Sequence, residues 1–114
     1  MRGYLALTPD ELAQLLGDGE ISIDTAFVPT GQFKSMNPEL GEEESEYILS
    51  LLAAEDSISY QGDSAKFSFV LAVDLEVSQI GQESEVEVNL TSPIKFIFFT
   101  IINFLLNIIK YLKS

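Results

Sequence analysis

Carboxylates dominate the reactive groups of this chain: 18 Asp and Glu stand against 6 Lys and Arg, with no His and no Cys. Without imidazole or thiol, the usual zinc ligand sets, Ser-His and Cys-His nucleophiles, and disulfide chemistry fall away. The densest acidic cluster is Glu42, Glu43, Glu44 and Glu46. It suits a cation or a basic partner, and it has an equally good structural reading, because the dipole of a helix favours negative charge in its first turns. Paired carboxylates act as acid and base in glycosidases, but among 18 acids some pair falls close by chance and none stands out. Gly17-Asp18-Gly19 lacks the Lys and the spacing of a phosphate loop and reads as a helix stop. Neither Asp18 to Glu20 nor Glu39 to Glu46 has the ligand spacing of a calcium loop. Asn89-Leu90-Thr91 matches a glycosylation acceptor, a pattern frequent by chance. The residues therefore predict no catalytic, cofactor or metal site, and a protein that is not an enzyme.

The elements that must carry these groups follow from periodicity. Gly3 to Leu7 is a short apolar strand, and Thr8-Pro9-Asp10-Glu11 starts a helix with a capping box and a proline in the first turn. Leu12, Leu15 and Leu16 give that helix its apolar stripe, and Gly17 and Gly19 end it. Ile21 to Val28 alternates as a half-buried strand, and Thr30 to Gly41 reads as a loop with room for one helical turn. Glu42 to Glu55 is a second helix with Tyr47, Ile48, Leu51 and Leu52 toward the core. Ser57 to Tyr60 adds a short edge strand. Lys66 to Val77 puts Phe67, Phe69, Leu71, Val73, Leu75 and Val77 on one core face. Gln79 to Ser84 turns the chain, and Glu85 to Leu90 returns as a hairpin partner of the preceding strand. The sum is β-α-β-α-β-β, an α+β domain with a small mixed or antiparallel sheet, two helices on one of its faces, and a hydrophobic helix at the C-terminus.

The opening Arg2-Gly3-Tyr4-Leu5-Ala6-Leu7-Thr8, the segment Ala26-Phe27-Val28-Pro29-Thr30 and the stretch Gly41 to Tyr47 resemble a small bacterial family of unknown function over about residues 1 to 90. The resemblance implies an α+β domain with no assigned activity and transfers no site. It also implies a final strand where this chain has its apolar tail.

That tail is a different kind of polymer from the body. Residues 1 to 94 hold all 18 acids against Arg2, Lys34 and Lys66, net −15, whereas Lys95, Lys110 and Lys113 make the remainder +3. From Phe96 to Ile109 fourteen residues carry no charge: Phe96, Ile97, Phe98 and Phe99, then Thr100, Ile101 and Ile102, then Asn103, Phe104, Leu105 and Leu106, and finally Asn107, Ile108 and Ile109. As a helix they span about 21 Å against about 30 Å of hydrocarbon, which Lys95 and Lys110 extend by snorkelling. Thr100, Asn103, Asn107 and Lys110, spaced 3, 4 and 3, would form one polar stripe on that helix, suited to contact with a neighbouring helix in a membrane. Three other readings stay open: a helix buried in the core or a dimer interface, a strand built on the aromatic and β-branched residues of Phe96 to Ile102, and a disrupted reading frame.

The sequence thus predicts an acidic domain over residues 1–92 and a tail over 93–114 that anchors it to a membrane, with the body cytoplasmic because Met1 to Leu7 is too short for a signal peptide. Its action would be to bind an unidentified protein. Self-association through the tail is allowed, and nucleic acid is disfavoured because a body at −15 repels phosphates. The alternative is a soluble inhibitor or immunity-type protein that mimics nucleic-acid charge against a basic enzyme, with the tail in the core or a dimer interface.

Overall fold

The computed structural model describes residues 1–65, 67–95 and 99–105. Strand β1 (Arg2–Leu7) runs into helix α1 (Pro9–Asp18) through the expected capping box. The Glu11 amide donates to Thr8 Oγ1 at 3.2 Å and the Thr8 amide donates to Glu11 Oε1 at 2.9 Å. Gly19, left-handed at φ 79°, ends the helix with its amide on the Leu15 carbonyl. Only Leu15 of the expected stripe is fully buried, with Leu12 packed beside it and Leu16 exposed.

The single strand expected over Ile21 to Val28 is two. Strand β2 (Glu20–Ile21) pairs with β7 (Ile94–Lys95) in a separate two-stranded ribbon, while β3 (Thr25–Phe27) enters the main sheet. Residues 22–24 pass between the two, and the Asp24 carbonyl accepts from the Leu90 amide at 2.8 Å. In the following loop Thr30 caps helix α2 (Gly31–Met36), its hydroxyl accepting from the Phe33 amide and donating to the Glu85 carbonyl.

Helix α3 (Glu42–Gln61) runs past the expected end at Glu55 and absorbs Ser57 to Tyr60, which form no strand. Its buried face is Leu49, Ser50, Ala53, Ala54 and Ser57. Tyr47, expected in the core, is exposed, and Ile48, Leu51 and Leu52 flank the contact line half-buried. Small residues hold the centre of that line because the helix lies close to the sheet. Ser57 fixes the approach, donating to the Leu7 carbonyl at 2.6 Å and accepting from the Phe69 amide at 2.9 Å.

Strand β4 (Phe67–Asp74) pairs along its whole length with β1, from Arg2↔Asp74 to Leu7↔Phe69. Its alternation does not mark one core face, since Leu71 and Val73 are buried on one side and Val70 and Ala72 on the other. After Leu75 the chain leaves the sheet in a 3-10 turn, and Val77 is 89% exposed. The polar segment read as a turn is mostly strand β5 (Ile80–Ser84), and it is the hairpin partner of β6 (Glu87–Leu90) around Glu85 at φ 52°. β6 also pairs with β3, so the expected hairpin between β6 and the long strand does not form.

The sheet is antiparallel, in the order β5-β6-β3-β1-β4, with β8 (Phe99–Leu105) along the outer edge of β4 from Val73↔Phe99 to Phe67↔Leu105. Over those seven residues the chain is extended, where the favoured expectation was helix and one alternative was a strand. Their aromatic and β-branched content suits a pleated surface, and pairing supplies partners for the backbone edge of β4. The rest of the tail expectation, at Phe96, Ile97, Phe98, Leu106, Asn107, Ile108, Ile109 and Lys110, falls outside the described residues, and so does the completed polar stripe. Among the described residues no helix is long and apolar enough to cross a membrane.

The helices do not share one face. Leu15 of α1, with Ile21 and Ile94 of the ribbon, packs on Leu5, Leu7, Val28 and Val73. On the opposite face, Phe33 of α2 and Leu49, Ala53 and Ala54 of α3 pack on Tyr4, Phe27 and Val70. The sheet is therefore the middle of three layers.

Candidate functional site

The acidic first turn of α3 forms because Gly41 at its N-cap offers no side-chain cap, leaving Glu42, Glu43 and Glu44 to complement the positive end of the helix. All three are exposed, and Glu46 is half-buried. The helical period then splits the cluster between two depressions that share Leu40 as their dividing ridge. Glu42 and Glu46, four residues apart, border a cleft of about 480 Å³ with Arg2 of β1, Lys34 of α2, and Tyr4 and Leu49. Glu43 and Glu44 border a shallower depression of about 340 Å³ with Tyr47 and Ile48. Along the chain the four acids read as one surface; the fold makes two walls of them.

The cleft mixes charge. Burial pushes the Tyr4 phenol above its ordinary value and Glu46 adds to the rise, while Arg2, hydrogen-bonded to it, acts in the opposite direction. Arg2 also pairs with Asp74 at 3.5 Å, an exposed ion pair of little energetic weight. Neither Lys34, Glu42 nor Glu46 has an ion-pair partner among the described residues.

A third hollow, of about 200 Å³, escaped the sequence reading. It brings together Glu11 of α1, Asp24 between β2 and β3, and Asp56 and Tyr60 of α3. Burial, then Glu55, raises the Asp56 carboxyl, and a hydrogen bond from Tyr60 partly offsets this. The Tyr60 phenol is itself raised by burial and by Asp56. The spacing of Asp56 and Tyr60 places them on one side of a helix, but Glu11 and Asp24 reach them only through tertiary packing. Among the described residues no group of three or more carboxylates is arranged to hold a metal ion.

A family of unknown function, DUF6912, matches residues 1–98. The chain belongs to DUF6912. The family match takes in every element from β1 to β7 and every residue of the two depressions on α3, and it stops just before β8. No curated protein and no solved structure matches this DUF6912 member. Membership therefore agrees with the resemblance seen in the sequence and assigns no activity.

Proposed function

We propose that the protein is a non-enzymatic binding module that docks a basic protein against the first turns of α3. The observation that supports this reading is the exposed carboxylate row Glu42, Glu43 and Glu44 beside exposed Tyr47, an aromatic anchor with an acidic rim. Six cations cannot neutralise 18 acids in any arrangement, so the surface keeps uncompensated negative charge for a partner to meet. A partner of this kind should be captured at low salt and released as screening rises. Substituting Glu42, Glu43 and Glu44 together by Gln should abolish capture, and undiminished capture by that variant would refute the reading.

A second reading keeps the membrane anchor, on the strength of the uncharged run Phe96 to Ile109 and the segregation of −15 and +3. It competes with β8, because a span needs the whole run and the strand uses seven residues of it. Fractionation with an alkaline carbonate wash, beside a chain ending at Ser92, separates the two. Retention of the full-length chain alone in washed membranes supports the anchor; two soluble chains leave the tail with the sheet.

A further inference from the structure

We infer that the cleft between β1, α2 and α3 is a binding site for a small zwitterion, an α-amino acid with an apolar side chain. Cations are scarce in this molecule: residues 1–95 contain Arg2, Lys34, Lys66 and Lys95, and two of these four border the one cleft. Its carboxylates, Glu42 and Glu46, come from a different wall, one turn apart on α3. Lys34, Glu42 and Glu46 border this space without forming an ion pair among the described residues, so both signs of charge stay open to a ligand. The space between them is left for a molecule that carries both charges.

The floor decides the rest of the ligand. Half-buried Pro29 and Leu40 line the cleft over Tyr4, 3% exposed, and Leu49, fully buried, so its apolar part rests on the core beneath it. A volume of about 480 Å³ lies within the range of roughly 300 to 1,000 Å³ common for small-molecule sites. The ligand's carboxylate meets Lys34, with Arg2 alongside it on Asp74, its ammonium meets Glu42 and Glu46, and its side chain lies against Pro29 and Leu40. A zwitterion has no net charge, so the overall −12 neither repels nor concentrates it. Glu42 is common to this site and the protein-docking face, and salt tells them apart, since zwitterion binding should hold where protein docking collapses.

The test is an NMR titration of the full chain with L-phenylalanine, L-phenylalaninamide and N-acetyl-L-phenylalanine. The amide lacks the carboxylate, as a peptide N-terminus does, and the acetylated form lacks the ammonium, as a peptide C-terminus does. The free amino acid should saturate in the millimolar range or below, shifting the amide signals of Tyr4, Lys34, Glu42 and Glu46. Each analogue should bind about tenfold more weakly, for the loss of one charge-assisted contact. Lys34→Ala should bring the free amino acid down to the level of the amide, and Glu42→Gln down to that of the acetylated form. Both side chains are exposed, so the spectrum of each variant should stay folded. Equal binding of all three compounds, tightest binding of the amide, shifts away from the cleft, no binding of phenylalanine, or indifference to both substitutions would each overturn the assignment.

Discussion

The hydroxyl of Ser57 fastens three elements at one point, since it touches the Leu7 carbonyl of β1 and the Phe69 amide of β4 from within α3 and also accepts from the Gln61 side chain at 3.2 Å. Ser57→Ala strands a buried carbonyl and a buried amide together, and the expected cost is about 1–3 kcal/mol in urea unfolding, with exposed Ser59→Ala near zero as the control. Asp56 gives a pH signature. Its carboxyl is raised above the ordinary 3.8 in the folded chain, so the folded state holds that proton more tightly than the unfolded one. Stability is then lost as pH rises from 3.8 through the raised value. Asp56→Asn should raise Tm at neutral pH and give no gain in strong acid; an equal gain at both would contradict this origin. At Gly3 an added methyl would sit 2.7 Å from Leu75 Cδ1 and 3.2 Å from Val28 Cγ1, so Gly3→Ala should destabilise by about 1–3 kcal/mol. Local chemistry of this scale was readable where partners are near in sequence, as with Thr8 and Glu11. Ser57 was not, because its partners lie 50 and 12 residues away.

Among the elements, α1, β1 and β4 were legible, for their patterns are long enough or capped enough to be unambiguous. The break between β2 and β3 was not, because an uninterrupted alternation over Ile21 to Val28 conceals that its halves serve two different sheets. β5 was missed because its residues after Ile80 are exposed, so an edge strand with water on both faces shows no alternation. The face of α3 was shifted because large side chains dominate a sequence pattern while Ala53, Ala54 and Ser57 make the closest approach. The tail carries two conflicting signals: its composition fits a strand and its unbroken length fits a helix. Ile102→Pro should tell them apart, because proline removes the Ile102 amide from the ladder opposite Val70. Faster hydrogen exchange in β4 is the expected outcome; unchanged protection would mean that β8 does not cover that edge in solution.

At the scale of the molecule, a net charge of −12 acts against the compact state by self-repulsion. Tm should rise with added sodium chloride as the carboxylates are screened, and a fall would point to specific ion pairs outweighing that repulsion. The composition made this property legible. The three-layer arrangement was hidden, since a strand buried on both faces and one buried on a single face both offer apolar residues at alternate positions, and only the filled positions between them, Val70 and Ala72, record the second layer. The order of the sheet carries one more consequence. β1 is made before either strand it pairs with, yet it lies between β3 and β4, and its partners in β4 follow between 62 residues (Leu7 to Phe69) and 72 residues (Arg2 to Asp74) later. The nascent strand meets α1 and β3 early, but its edge toward β4 stays open until Phe67–Asp74 has been made. Pairings so distant along the chain slow folding and leave an early edge open to wrong partners, so the interval between making β1 and making β4 is a stage of synthesis at which that open edge invites aggregation.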